Sequence, residues 1–370
     1  MEKINNKSHK KNPTKIIVLS KKPTGKTGGE IYNLRVFEQI MRNPSCSIEF
    51  CAPNIYKKGI TIKKIFAPII ELKHLKAVRN NDICFMSSTM AYRHMLLMIF
   101  IRMFFPRKGI IVIHHHYEHE LLEGVKKIIV KFLEISFLKM STSLLIPSPY
   151  TLNKTKTLFP TKKIHYIELA FTKTKNDKSV TKTYLKGEFL YVGTIEKRKG
   201  LHFLIKSLNF LSKERKDFKL NIIGRVADSE YYNYLLKQIE DFELKNNVIF
   251  HGYVPEEKLN DFYLKAELFI FPSLLEGYGM VLMEAMSFGI PVIAFDNSAI
   301  SLTVKHGYNG LLAENKNPQQ LYELIKLAFD NSDLRSQLSK GALQTYENCR
   351  NQKDFEKDVN LFINESLLKK

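Results

Sequence analysis

Along the chain, short apolar runs alternate with longer amphipathic stretches. The runs at 15–20, 47–52, 82–87, 109–114, 143–147 and 163–168 read as strands, and the stretches at 29–42, 91–105, 118–140 and 150–158 read as helices. This alternation and spacing imply βαβ units and a parallel sheet. The segment 172–186, TKTKNDKSVTKTYLK, contains nothing that could build a core and reads as a linker. The pattern then restarts. Strands are expected at 188–192, 219–223, 248–251, 268–272 and 291–295, and helices at 200–212, 229–242, 255–265, 280–288, 318–330 and 331–348. A last helix is expected at 354–368.

The expected fold is therefore α/β, with two successive Rossmann-like, doubly wound parallel-sheet domains. They span 15–171 and 187–350, after a basic disordered tail at 1–14 and before a C-terminal helical segment at 351–370 that is free to pack back on the first domain. Ligands of such sheets bind beyond the carboxyl ends of the strands, here expected in the cleft the two domains face.

Composition narrows the function. At 370 residues with 44% hydrophobic and 25% charged positions, the chain is globular and long enough for two cores. Its net charge of +20 attracts polyanions: nucleic acid, an anionic bilayer or phosphate-bearing substrates. Lysines decorating solvated faces would give the same figure. Cys46, Cys51, Cys84 and Cys349 form no CxxC pair, which argues against structural zinc and a disulfide framework and fits a reducing cytoplasm. The first apolar run, 16–19, is too short for a signal-peptide core. The run 94–105 is broken by Arg102 and falls short of the roughly 20 residues a spanning helix needs. Segments 91–108 and 125–139 mix Lys and Arg with Leu, Ile, Met and Phe. Such helices either lie on an anionic bilayer or turn an apolar face to the core and a basic face to water.

The densest chemistry lies in FPSLLEGYGMVLMEAMSFGIPVIA, 271–294. A strand ends at Pro272, a loop carries Glu276, Gly277, Tyr278 and Gly279, and a helix opens near Met280 and holds Glu284. Glycines let the backbone approach a ligand, and the free amides of Gly279, Met280 and Val281 at a helix start suit a phosphate. Glu276 can reach what the phosphate carries, and Glu284, one turn into the helix, can bind a vicinal diol. This segment resembles the E-x7-E motif of retaining glycosyltransferases of family 4, which have the GT-B fold, with Glu276 and Glu284 at the two glutamates. The resemblance covers nearly the whole chain and is densest from Glu188 to Leu312.

A second motif, LYVGTIEKRKGLHFLI, ends a strand at Gly193 and places Arg198 and Lys199 just before a helix, where two cations can clamp a diphosphate. Lys199 matches the family's strand–Gly–x5–Lys–Gly signature. Many members have Arg directly after the first glycine. Here that position is Thr194, and Arg198 is expected to supply the charge. Gly224 ends the strand of LNIIGRV, and Val254 belongs to a Gly–x–Val that resembles the backbone beside the nucleotide base. VKHGYNGLL resembles a frequent downstream turn, with Ser301, Leu302 and Thr303 where the family often has a glutamate.

The N-terminal half departs further. KKPTGKTGGEIYNL carries Gly28 and Gly29, matching the family's Gly-Gly at a helix start near the donor phosphates. The same loop is a near-miss to a P-loop, with Ser20 at the first glycine before Gly25, Lys26 and Thr27. His114, His115 and His116 stand at a strand end. Consecutive strand residues alternate faces, so the three do not readily bind one metal. Family members often have one histidine here that contacts the donor sugar. His114 aligns best, with His115 a close rival.

The resemblance implies a metal-independent, retaining transfer from a UDP- or GDP-sugar, with no cofactor, to a glycan or lipid-linked acceptor in cell-surface polysaccharide or glycoconjugate synthesis. Glu284 would hold the ribose. Arg198, Lys199 and the amides near Gly279 would stabilise the leaving diphosphate, Glu276 would position the sugar, and the acceptor would enter near His114. Replacing Glu276 by Ala is expected to abolish transfer with the fold intact. The expected location is cytoplasmic, with the charge allowing peripheral attachment to the inner face of the cell membrane. A nucleotide-sugar epimerase on the same scaffold stays open. So does a basic nucleic-acid-binding module, although no nucleic-acid signature is present and no such partner is expected. A glycogen phosphorylase-like enzyme is disfavoured by length and by the lack of a pyridoxal-phosphate lysine setting.

Overall fold

A computed structural model describes residues 12–25, 28–51, 67–88, 91–171 and 184–368. Most of the tail expected at 1–14, most of the linker expected at 172–186, and Lys26 and Thr27 of the P-loop-like segment lie outside the described residues. The chain forms two compact units, 1–169 with 352–370, and 170–351.

The first unit runs β1 (Thr14–Val18), α1 (Gly28–Met41), β2 (Cys46–Phe50), α2 (Ala67–Asn80), β3 (Ile83–Ser87), α3 (Ala91–Phe104), β4 (Gly109–Ile113), α4 (Gly124–Met140), β5 (Ser143–Ile146), α5 (Pro149–Leu158) and β6 (Lys163–Tyr166). Its sheet has the order β2-β1-β3-β4-β5-β6, and every pairing is parallel. Strands such as GIIVI read as nearly unbroken apolar runs because helices cover both faces of such a sheet. Ile17, Cys84, Val112 and Leu144 pack against Leu97, Ile101 and Phe137.

The second unit runs β7 (Glu188–Val192), α6 (Leu201–Ser212), β8 (Lys219–Ile223), α7 (Ser229–Asp241), β9 (Val248–Gly252), α8 (Glu256–Lys265), β10 (Leu268–Phe271), α9 (Met280–Ser287), β11 (Val292–Asp296), α10 (Ile300–Thr303), β12 (Gly310–Glu314), α11 (Pro318–Asp330) and α12 (Ser332–Glu347). Its parallel sheet has the order β12-β11-β10-β7-β8-β9. The chain moves outward from β7 to β9 and then returns to lay β10 on the other side of β7. The switch point therefore falls between β7 and β10, where Leu190 pairs with Phe269. In doubly wound sheets this is where ligands bind. The last helix, α13 (Gln352–Phe362), groups with the first unit. Its Phe362 meets Phe85 edge-on, and Gln39 Nε2 donates to Asn360 Oδ1 at 3.1 Å.

Local chemistry sets the element ends. Pro272 has no N–H to continue a ladder, so β10 stops at Phe271. Ser148, Asp228, Asn317 and Asn331 accept backbone N–H groups as N-caps, and the Asn331 cap separates α11 from α12. Three differences from the sequence reading stand out. The single helix expected at 118–140 is a 3-10 turn, Glu118–Leu121, followed by α4, because Gly124 turns the chain at φ 57. The helix α2 precedes β3. Beyond the expected strands, β12 follows the VKHGYNG turn and pairs with β11.

Candidate functional site

Two loops meet at the switch point of the second unit. The first follows β7. Its residues Lys197–Lys199 form one 3-10 turn, closed by Gly200 at φ 69, and α6 begins at the next residue. The second loop joins β10 to α9. They are joined backbone to backbone: Leu274 N–H donates to the Arg198 carbonyl at 2.9 Å. They are also joined through a side chain, since Arg198 Nη1 donates to the Leu275 carbonyl at 2.6 Å. A Cβ at Gly200 would lie 2.0 Å from the Pro272 carbonyl oxygen, so only glycine fits this crossing.

The crossing brings Arg198, Lys199 and Glu276 together. Glu276 Oε1 accepts from Lys199 Nζ at 2.6 Å, from Arg198 Nη1 at 3.2 Å and from the Ser273 hydroxyl at 2.6 Å. Arg198 Nη2 donates to Glu196 Oε1 at 2.7 Å, which also accepts from the Thr194 hydroxyl at 3.1 Å. Two cations thus face two carboxylates. Burial alone would raise the Glu276 pKa, yet the charges of Lys199 and Arg198 override it and hold the carboxyl at about 2. Burial lowers Lys199, and there Glu276 only partly offsets it. Arg198 is raised, because Glu276 and Glu196 together outweigh its burial. The partners shift unequally, so the pair is worth less than the carboxyl shift alone suggests. Among the described residues no donor is recorded on Glu276 Oε2, which leaves that oxygen for a ligand.

The helix α9 opens just beyond Glu276. Gly279, its N-cap, has φ 76 and makes no side-chain cap. The first internal bond of the turn is Leu282 N–H to the Gly279 carbonyl, and no partner is recorded for the amides of Met280 and Val281 among the described residues. Such amides make an anion site, and the helix dipole adds to it. Gly277 and Tyr278 complete the loop, with the Tyr278 ring 5.7 Å from Phe171. Glu284 sits one turn on, and its Oε2 accepts from Tyr263 at 3.0 Å. Burial raises the Glu284 pKa against that bond. Gly193 and Gly224 also meet: a Cβ at Gly224 would lie 1.9 Å from the Gly193 carbonyl oxygen. Val254 follows β9, two strands from β7, and packs on the core.

Several participants carry no sequence motif. Ser273 and Glu196 bind the charged cluster directly. Ser298, in the left-handed region at φ 45, accepts the Glu276 N–H at 2.9 Å, while Asn297 Nδ2 donates to the Ser273 carbonyl at 2.9 Å. Adjacency in sequence could have pointed to Ser273. Only the fold brings in Ser298 and Tyr263.

In the first unit, Gly28 opens α1, and Gly29 faces the His115 ring, where an added Cβ would sit 3.7 Å away. His115 Nε2 donates to Asn33 Oδ1 at 3.0 Å, and Tyr32 meets the ring edge-on. Burial, then His116, lowers the His115 pKa to about 3, so the imidazole is neutral near pH 7. His114 points the other way, as strand alternation requires. It is 0% exposed, its Nδ1 lies 2.8 Å from the Ser88 hydroxyl, and Tyr117 packs on its ring. Its Nε2 is buried without a recorded partner, and burial pushes its pKa well down. Of the two histidines, the partly exposed His115 has surface for a ligand and His114 has none. Among the described residues no group of three or more His, Cys, Asp or Glu could hold a metal ion.

Residues 172–345 match the family model of glycosyl transferases group 1. An uncharacterized glycosyltransferase of Methanocaldococcus jannaschii is 33% identical over 177 residues, 45% of this chain and 47% of that protein, so the match spans just under half of the relative's length. Sucrose-phosphate synthase from Thermosynechococcus elongatus superposes with TM-score 0.75 at 15% identity, covering 96% of this chain and 99% of that one. The Anabaena protein HepE, solved with UDP and glucose, superposes with TM-score 0.70 at 15% identity over 95% of this chain and 100% of its own. The C-terminal unit is a glycosyl transferases group 1 domain, carried on a chain of GT-B architecture.

Proposed function

We propose that the chain is a retaining glycosyltransferase that moves a sugar from a UDP- or GDP-sugar to a glycan or lipid-linked acceptor in cell-surface polysaccharide or glycoconjugate synthesis. The observation that carries the reading is the Glu276 carboxylate. Three donors fill one of its oxygens and none is recorded on the other, next to the open start of α9. A diphosphate on the α9 amides would share Arg198 and Lys199 with Glu276. It would present the sugar to Oε2, with Glu284 taking the ribose hydroxyls. The bond from the anomeric carbon to the diphosphate oxygen breaks as a bond to the acceptor hydroxyl oxygen forms on the same face. The hydroxyl proton passes to the leaving phosphate. Arg198, Lys199 and the helix dipole supply the positive charge that other transferases take from a divalent metal. In the first unit, His115 beside Gly29 is the histidine with surface left for a ligand, and the enzyme works in the cytoplasm.

Calorimetric titration with UDP and GDP, with and without EDTA, tests the donor site. Chelator-insensitive binding of one nucleotide is expected, and binding of neither overturns the donor reading. Slow donor hydrolysis followed by proton NMR tests the stereochemistry. The first sugar released from an α-linked donor should be the α anomer, and release of the β anomer overturns retention.

A further inference from the structure

The side chains that are hardest to explain by folding lie on α4. Val125, Ile128, Ile129 and Phe132 are between 54% and 72% exposed. At about 100° per residue they fall within an arc of about 100°. That arc lies opposite the face that buries Phe137 and Leu138 in the core. Lys126 and Lys131 flank it on either side, and the first turn of the helix carries no acid, Glu123 standing at its cap. The neighbouring α3 packs on α4 and exposes Ile99 and Met103 on its own outer side. Arg102 Nε, near the end of α3, donates to the Met140 carbonyl at the end of α4 at 2.6 Å. The helices therefore end level, and the extra length of α4, 17 residues against 14, lies at its start. That start follows β4, so the apolar arc stands at the carboxyl edge of the first unit's sheet, the edge that also carries His115 and Gly29.

A soluble helix gains nothing from large apolar side chains on its water face, and such patches mark a surface that something covers. No helix among the described residues is long and apolar enough to cross a membrane. We propose that the start of α4, with the outer side of α3, docks on an anionic lipid bilayer. The four apolar side chains would enter the interface, and Lys126 and Lys131 would meet lipid phosphates. The charge selects this occupant: a lysine-flanked apolar arc without first-turn acids, in a chain of net charge +20, matches anionic headgroups and repels a second copy of itself. This docking rests on the transferase reading only for its purpose, which is to hold the strand edge at the surface where a lipid-linked acceptor resides.

The test is co-sedimentation of the full chain with phosphatidylglycerol–phosphatidylcholine vesicles and with pure phosphatidylcholine vesicles. Binding to the anionic vesicles alone is expected. The double variant Ile128→Glu with Phe132→Glu should weaken it by at least about tenfold, since each buried apolar side chain lost is worth about that much. Lys126→Gln with Lys131→Gln should weaken its salt sensitivity. All these side chains are exposed, so thermal melts of the variants should match the parent. Their affinity for UDP or GDP should also match, which separates a failure of docking from a failure of the donor site. Equal binding by parent and variants overturns the proposal. So does a concentration-dependent dimer, seen by light scattering, that the double variant abolishes, for that result would assign the face to a second copy.

Discussion

Lys199 Nζ lies 2.6 Å from Glu276 Oε1, and both residues are less than a tenth exposed although they come from loops 77 positions apart. A buried cation that loses its partner is costly, more so than the intact pair is stabilising. Glu276→Ala leaves the buried Lys199 without its carboxylate, while Arg198 keeps Glu196, so the variant should lose about 3 kcal/mol of stability as well as transfer. Glu276→Gln keeps an acceptor in place and should cost less, while transfer falls by about a hundredfold or more. Urea unfolding beside donor turnover separates the two effects. An Ala variant as stable as the parent, which is what the sequence alone leads one to expect, would show that Lys199 finds solvent instead.

The same pair sets an acid limb. The Glu276 pKa is depressed from 4.5 to about 2 in the folded chain, so its contribution is complete above about pH 5 and is lost as pH falls from 4.5 through 2. The gap in Tm between the parent and Glu276→Gln should be constant above pH 5 and close towards pH 2. A gap that stays constant down to pH 2 would mean that the carboxyl is not held low by its cations.

Two glycines with the same backbone angle make a controlled comparison. Gly200 has φ 69 and Gly252 φ 68, but a Cβ at Gly200 meets the Pro272 oxygen at 2.0 Å whereas one at Gly252 meets nothing within 4 Å. Gly252→Ala should cost only the left-handed backbone term, about 1 kcal/mol. Gly200→Ala must also push apart the two loops that bear Arg198 and Glu276, and should cost at least about 2 kcal/mol more, with loss of transfer. Chemical denaturation of both variants reads the difference directly.

These cases mark how far the sequence could be read. Apolar runs and amphipathic stretches carry most elements, because in a parallel sheet covered on both faces the strands are legible as hydrophobic blocks. The short β12 was hidden because the apolar run of GLLAE is only three residues long, between a glycine and a glutamate, and follows a turn. The break at Gly124 was hidden by continuous helical periodicity on both sides of it. In the site, Glu276 and Arg198 are legible through a motif and through charge. Their mutual contact is not, since it depends on which strands are neighbours, and neither is the Ser298 hydroxyl that fixes the Glu276 amide. The direction of the histidines is partly legible: alternation sends His114 and His115 to opposite faces, but only the packed helices decide which face is interior.

If Glu284 binds the ribose as proposed, Tyr263 is a positioning residue for the nucleotide. Its hydroxyl holds Glu284 Oε2 at 3.0 Å from a neighbouring helix. Tyr263→Phe should weaken nucleotide binding by about fivefold, the worth of one hydrogen bond, and Glu284→Ala by more. A 2′,3′-dideoxy nucleoside diphosphate should bind the parent, Tyr263→Phe and Glu284→Ala alike, because the hydroxyls that the carboxylate is proposed to grip are gone. Calorimetry with both ligands gives the answer. If Tyr263→Phe weakens the dideoxy ligand as much as the ribose form, its effect is on packing and not on the carboxylate.

His114 and His115 should separate by what their loss does. His114 is wholly buried, its Nδ1 is bonded to Ser88, and Tyr117 packs against its ring, so His114→Ala opens a cavity and strips the Ser88 hydroxyl of its partner. A loss of about 2 kcal/mol in stability is expected, and turnover should fall only as far as folded protein is lost. His115 is partly exposed, sits over Gly29 and is fixed by Asn33. His115→Ala should leave the melt within a few degrees of the parent and lower kcat. Asn33→Ala should give a milder form of the same defect by freeing the ring. Melts and donor turnover on the three variants decide the matter. A stable His114→Ala enzyme with kcat lost would return the sugar contact to His114 and require the strand end to open when the donor binds.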